Sequence, residues 1–322
     1  MVSPPAHRTT PDHLMAEGLD TAARRVDIYL QSIFSEGYMP ERLGAAMRHA
    51  LLVGGKRFRP FLVMETARIF QPNPPAAPGR DPAVVVGGAL ECVHAYSLVH
   101  DDLPAMDNDQ TRRGQPTVWV KFDDATAILA GDGLLTHAFR LIGGLAEPHR
   151  GQPRLLKPET ALRLVVELAD ASGYAGMVGG QQLDLDAERR PSTDRPTEAD
   201  VRRIQTMKTG ALIRFACRGG AIAAGASESE IAGLTAYAEH LGLAFQISDD
   251  LLDATGSAEL VGKAVGKDAG RGKGTFIDIY GIDGARKKLA ETEAAAIAAL
   301  APFGPRAVLL EAAARFMTQR KS

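Results

Sequence analysis

Residues 97–117 read SLVHDDLPAMDNDQTRRGQPT. The stretch ends an apolar, helix-periodic run over 82–102, and Asp101, Asp102, Asp107 and Asp109 crowd its end. Carboxylates at a helix C-terminus repel one another and oppose the helix dipole. Such a cluster persists when something cationic comes to it. Asp101 and Asp107 are six residues apart, about 240° around an ideal helix, so an unbroken helix would point them apart. Pro104 disfavours helical geometry at Leu103 and ends or distorts the helix. The loop that follows can then bring Asp107 back toward Asp101.

A second acidic patch, FQISDDLLDATG, follows the apolar run YAEHLGLAFQI. Asp249 and Asp253 are one helical turn apart and share a face, with Asp250 beside them and Gln246 on the same side. Oxygen ligands in small number suit Mg²⁺, which binds through one or two carboxylates plus substrate phosphates. Mn²⁺ is the natural substitute, and no His/Cys spacing suggests zinc. One acidic patch alone reads equally well as a solvated helix end. Two of them, each after an apolar helix and accompanied by basic motifs, favour a metal site.

The basic complement is spread along the chain. GGKRFRP at 54–60 sets Lys56, Arg57 and Arg59 behind two glycines, Gly55 among them. Glycines let a backbone approach an anion, and Arg offers forked hydrogen bonds to phosphate. Taken alone the motif also reads as a turn before a charged helix start. Arg112 and Arg113 follow the first acidic patch. MKTG at 207–210 places Lys208 and Thr209 in an apolar helix, where a lysine needs a partner or must snorkel outward. His94, seven residues before Asp101, shares its helix face; the plainer reading is a structural histidine. Lys263, Lys267 and Lys273 lie in a glycine-rich segment. Acidic patches for Mg²⁺ and separate basic groups suggest two phosphorylated substrates. An apolar helical interior suggests that at least one carries a greasy tail.

The bulk numbers agree with a globular enzyme. The 322 residues are 45% hydrophobic and 24% charged, with a formal net charge of −2, which argues against a nucleic-acid binder. Cys92 and Cys217 sit in apolar helical patterns and read as reduced, buried thiols, although the sequence leaves a disulfide open. The N-terminal segment lacks the apolar core of a signal peptide. No uninterrupted apolar run of about eighteen residues is present, so no membrane span is expected and the cytoplasm is the default location. The segment AAAIAALAPFGPRAVLLEAAARF comes nearest, broken by Pro302, Pro305 and Arg306.

Apolar periodicity predicts helices over 13–35, 41–53, 58–70, 82–102, 123–146, 158–172, 198–222, 228–253 and 283–320. Loops are expected at 71–82, 147–158 and 188–196, and the polar, glycine-rich 254–276 reads as a mobile loop. The expected organisation is a disordered tail over 1–11 and one all-α domain over 12–322.

The ordered set GGKRFRP, HAYSLVHDDLPAMDND, RRG, GGQQLDL, KTG, FQISDDLLD and GK–GKD–K resembles the trans-isoprenyl diphosphate synthases, and among them the bacterial farnesyl diphosphate synthases. The likeness runs from about residue 20 to the C-terminus. It implies an all-α isoprenoid synthase-type bundle around a deep central cavity, generally a homodimer, with three Mg²⁺ held between the acidic motifs. By position, Asp101, Asp102, Asp107, Asp249, Asp250 and Asp253 would be the metal ligands. Gly55, Lys56, Arg59, His94 and Arg113 would form the isopentenyl diphosphate subsite. Arg112, Lys208, Thr209, Gln246 and Lys263 would hold the allylic diphosphate, and Lys267, Asp268 and Lys273 would make loop contacts. Tyr96 and Ser97, just before the first motif, would form the floor that limits product length. A helix rise puts Tyr96 about 7.5 Å below the acidic site, and its alternative role is simple packing between helices.

The implied reaction joins isopentenyl diphosphate to dimethylallyl or geranyl diphosphate to give farnesyl diphosphate. A geranylgeranyl product is the alternative, and a non-catalytic subunit of a heteromeric synthase is the reading from a different class. That subunit, or a terpene cyclase, would lack one acidic motif or the GGKRFRP set. Departures from the family pattern are Gln110-Thr111 before the arginine pair, Trp119, and KGTFI at 273–277.

Overall fold

The computed structural model describes residues 11–34, 39–148, 151–189, 196–259 and 274–319. The helices are α1 (Pro11–Ser32), α2 (Glu41–Leu52), α3 (Phe58–Arg68), α4 (Pro82–Asp101), α5 (Val118–Lys121), α6 (Asp124–Gly144), α7 (Pro158–Ser172), α8 (Met177–Glu188), α9 (Glu198–Gln205), α10 (Ala211–Ala223), α11 (Glu228–Glu259), α12 (Phe276–Ala299) and α13 (Val308–Gln319). Among the described residues the one sheet is a hairpin of β1 (Thr111–Arg112) and β2 (Gln115–Pro116). The expected all-α class is therefore what the chain adopts.

Helix α4 is the axis of the bundle. Its N-terminus is capped by Asp81, which accepts from the Ala83 N–H at 2.9 Å, and Pro82 occupies the first turn, where no N–H is missed. It is apolar nearly all round and packs against α1, α3, α6 and α10 at once, as a helix buried on every side must. It is the one helix among the described residues long and apolar enough to cross a membrane, but 83% of its apolar window is buried inside the bundle. Both cysteines are free and buried.

Several expectations need correction. Helix α8 falls where no helix was expected: its sequence MVGGQQLDLDAE carries two glycines and several polar residues, which hide an apolar period. The 198–222 segment is not a uniform α-helix, because Thr206–Gly210 forms a π turn between α9 and α10. The 254–276 segment is not wholly a loop: α11 continues to Glu259. Helix α12 begins earlier than expected, at Phe276, behind a capping box in which Thr275 and Asp278 satisfy each other's backbone N–H groups. The 283–320 segment is two helices bent by 88°, broken where Gly304 takes a positive φ of 55° beside Pro305. Residue 11 belongs to α1 rather than to a tail.

Candidate active site

The first acidic patch folds back as its proline suggested. Helix α4 ends at Asp101, and the backbone N–H of Asp107 donates to the Asp101 carbonyl at 2.9 Å. Met106 and Asn108 both donate to the Leu103 carbonyl, and Asn108 sits in the left-handed region at φ 53°. The six-residue separation is thus closed by main chain. Burial first, then the neighbouring Asp107 and Asp102 charges, push the Asp101 carboxyl up to about 6, against the pull of Lys208 and Arg112. A buried carboxylate held that far above its ordinary range gains from a further cation brought to it.

The β1–β2 hairpin delivers the two arginines. Arg113 and Gly114 form its two-residue turn with φ of 52° and 73°, the positive pair that a tight hairpin of this twist requires. Arg112, just before the turn, is directed onto buried Asp102, donating through Nε at 2.8 Å and approaching through Nη2 at 2.6 Å; Asp109 lies 3.5 Å from Nη2. Arg113, at the tip, crosses to the loop after α2 and donates to the Gly54 carbonyl. A Cβ on Gly55 would lie 2.6 Å from the Arg113 guanidinium, and Gly55 holds a φ of 143°. A side chain there would be strained and would collide with the arginine. Trp119 and Thr117 each donate to the Asp109 carbonyl at 2.9 Å, so the Trp119 departure helps secure the acidic loop.

The GGKRFRP arginines have different fates. Arg57, in the left-handed region at φ 47°, is buried and tied to Asp27 at 2.9 Å, Glu91 at 2.7 Å and the Leu51 carbonyl at 2.8 Å. It is a structural clamp. The Arg59 Nε, by contrast, is sealed from solvent and has no hydrogen-bond partner among the described residues. Burial lowers its guanidinium, Glu91 opposes the shift, and the nearby Arg113 adds to it. Burial also holds His94 well below its ordinary range, with Arg59 and Arg113 next in effect, so this ring is neutral among arginines. Two arginines that share the charge of Glu91, beside a neutral ring, make a place for an anion.

Lys208 lies in the π turn, and π turns are common where a side chain must be re-aimed at a functional position. Its Nζ is 2.6 Å from Asp184 of α8, and its charge reaches Asp101. Gly180 makes this contact feasible: a Cβ there would sit 2.2 Å from the Lys208 backbone nitrogen. Asp184 is the residue that spacing alone does not single out. The motif GGQQLDL contains it, but nothing local marks it as the lysine's partner. Thr209 shares the π turn with Lys208.

The second patch sits on α11, where Asp249 and Asp253 are one turn apart behind Gln246. Asp250 has a structural tie as well: its Oδ2 accepts from the Phe276 N–H at 2.8 Å, fastening α11 to the start of α12. Burial raises its carboxyl to about 6 despite that bond, with Asp253 and Asp249 adding to the shift. Among the described residues no three acidic, His or Cys side chains converge closely enough to chelate a cation by themselves. The donor set fits Mg²⁺ in the manner that needs fewest protein ligands, with phosphate oxygens and water completing the shell.

Tyr96 is 6% exposed, edge-on to His100 at a ring-centroid distance of 5.8 Å. Burial, then the Asp101 charge, pushes its phenol up to about 12. Ser97 donates to the His94 carbonyl at 2.9 Å. Lys56 is exposed on the Gly54–Gly55 loop. Lys263, Lys267, Asp268 and Lys273 lie outside the described residues.

Known proteins match this arrangement across most of the chain. Residues 40–299 match the family model described as polyprenyl synthetase. The farnesyl diphosphate synthase of Escherichia coli (strain K12) is 46% identical over 245 residues, 75% of this chain and 76% of that one. The farnesyl diphosphate synthase of Geobacillus stearothermophilus is 43% identical over 253 residues, 78% of this chain and 79% of that one. The crystal structure of an FPP/GFPP synthase from Zymomonas mobilis superposes with a TM-score of 0.81 at 38% identity, covering 96% of this chain and 100% of that one. With its acidic patches and arginine hairpin set on an all-helical frame, the chain belongs to the polyprenyl synthetase family.

Proposed function

We propose that this protein is a short-chain trans-prenyltransferase that condenses isopentenyl diphosphate with dimethylallyl or geranyl diphosphate to make farnesyl diphosphate. The observation that carries the reading is the adjacency of two opposite kinds of site. Asp101, raised to about 6, feels the charges of Lys208 and Arg112, and Arg59, Arg113 and the neutral His94 gather where Arg113 reaches the Gly54 carbonyl.

Asp101, Asp102 and Asp107, together with Asp249, Asp250 and Asp253, would hold Mg²⁺, with Asp250 giving only the oxygen not engaged by Phe276. We assign three ions to the complete complex. Bound there, Mg²⁺ supplies charge neutralisation for an allylic diphosphate as it leaves. Arg112, Lys208, Thr209 and Gln246 orient that diphosphate, joined by Lys263 on the strength of its place in the motif order. Gly55, Lys56, Arg59, His94 and Arg113 hold isopentenyl diphosphate. The allylic C–O bond breaks with its electron pair going to diphosphate. The π pair of isopentenyl diphosphate then forms the new C–C bond. A proton from its C2 passes to the released diphosphate, so no protein base is required. Positioned donors that need not reorganise favour the ionised state.

Tyr96 supports the fifteen-carbon product, since its buried ring stands beneath Asp101. The expected second copy finds support in exposed apolar side chains on α6, Ile128 at 45% and Leu129 at 58%. The test is a product assay with isopentenyl and geranyl diphosphates and Mg²⁺, reading chain length by mass after dephosphorylation. A fifteen-carbon alcohol is expected. A twenty-carbon alcohol would replace the product assignment with geranylgeranyl diphosphate, and folded protein without condensation would restore the non-catalytic subunit.

A further inference from the structure

His49 lies in the last turn of α2, five residues before Gly54. Its Nε2 is 2.8 Å from the Pro116 carbonyl in β2, and its Nδ1 is 3.2 Å from the Lys121 ammonium of α5. A carbonyl can only accept and an ammonium can only donate. The two partners therefore demand a single neutral tautomer, with the proton on Nε2. The ring meets Phe122 edge-on, with centroids 6.2 Å apart. The face of Phe122 in turn carries Arg42 at 5.6 Å and Lys121 at 5.8 Å, and its carbonyl accepts from Arg42 at 2.9 Å. A half-buried ring fixed at both nitrogens and along one edge has a defined orientation.

This matters because of what Pro116 and α2 each lead to. Pro116 pairs with Thr111 in the hairpin whose turn residue is Arg113, and α2 runs directly into Gly54–Gly55. The hairpin is thus tied both to α2, by His49 to Pro116, and to the loop that follows α2, by Arg113 to Gly54. Arg112, on the same hairpin, is anchored separately to Asp102. A hairpin released from His49 would keep Arg112 in place and lose its grip chiefly at the tip.

We propose that His49 is a positioning residue for the isopentenyl diphosphate subsite, bracing the hairpin so that Arg113 stays over the Gly54–Gly55 loop. The inference rests on the function proposed above and adds a residue whose two ring nitrogens are both engaged by the protein itself. The test is steady-state kinetics with each substrate varied in turn, on the full chain with Mg²⁺. H49F keeps the ring on Phe122 and removes both hydrogen bonds. H49Q keeps an N–H donor for Pro116. H49F is expected to raise KM for isopentenyl diphosphate about three- to ten-fold, the range for a lost neutral hydrogen bond. Its kcat and its KM for geranyl diphosphate stay within about two-fold of wild type, and H49Q restores most of the loss. K121M, which removes the Nδ1 partner and the ammonium over Phe122 but keeps the bond to Pro116, gives a smaller rise in the same KM and serves if H49F does not fold.

An unchanged KM for isopentenyl diphosphate in these variants, or an equal rise in both KM values, overturns the proposal. So does an H49Q no better than H49F. A wild-type protein that does not turn over isopentenyl diphosphate at all would instead overturn the underlying function, and the two failures are told apart by that control.

Discussion

The Asp107 N–H and the Asp101 carbonyl meet at 2.9 Å, and this main-chain bond turns a six-residue spacing into one acidic site. Its cost is visible in the Asp101 carboxyl, raised to about 6 by burial and by its neighbours. The loop therefore gathers carboxylates at a partly buried place, with Arg112 and Lys208 as the protein cations acting on Asp101. That is the arrangement expected of a site completed by a cation.

Asp101→Asn is expected to lower kcat by about a hundred-fold or more, the loss seen when a positioned electrostatic group is removed. Stability should not fall, because the substitution removes a charge that burial, and then the neighbouring carboxylates, disfavour. Parallel measurements of kcat and Tm check this. A variant that loses both together would show that the carboxylate is structural.

Asp184→Asn should weaken the charged contact to Lys208, now 2.6 Å long. Hydrogen bonds to charged groups contribute about 1.5–3 kcal/mol, so kcat/KM with geranyl diphosphate should drop about ten- to a hundred-fold. KM for isopentenyl diphosphate should hold, since the subsite proposed for it lies around Arg59 and Arg113. Separate titration of the two substrates reads the difference.

Tyr96→Ala opens space beneath Asp101. Chain elongation is expected to continue beyond fifteen carbons, as mass analysis of the products would reveal. Truncating a buried aromatic should also cost about 3–5 kcal/mol of stability by the usual range for such core sites. A shorter or unchanged product would mean that the ring packs between helices without limiting the tail.

Glu65 offers a pH test away from the site. It is 4% exposed, and burial raises its carboxyl to about 6 even though Arg68 lies 3.2 Å away. A raised acid binds its proton more tightly in the folded state, so the protonated form favours folding. Stability should therefore fall as pH rises from the unfolded value of about 4.3 through about 6. Glu65→Gln should flatten that decline and gain on the wild type by about 2 kcal/mol above pH 6, with no advantage near pH 4. Denaturant midpoints across that range measure it.

Much of this protein is legible without coordinates. The three-to-four spacing of apolar residues is enough to set an all-α fold, because helix amphipathicity is local. Pro104 announces the break after Asp101 because proline restricts its own backbone and its neighbour's. The order of the motifs is enough to indicate the family. Helix α8 escaped that reading because its polar GGQQ start carries no apolar period, and so did its Asp184.

The tertiary structure decided the rest. Arg57 and Arg59 are two residues apart and look alike in GGKRFRP, yet one is locked to Asp27 and Glu91 and the other keeps a buried, unpartnered Nε. Asp184 and Lys208 are brought together across 24 residues by a π turn and a glycine contact. His49 meets Pro116 across 67. Periodicity and capping act over a few residues, so most of the helices and the kinds of group they carry can be read locally. Which of those groups pair, and which are left open to substrate, depends on packing between distant segments.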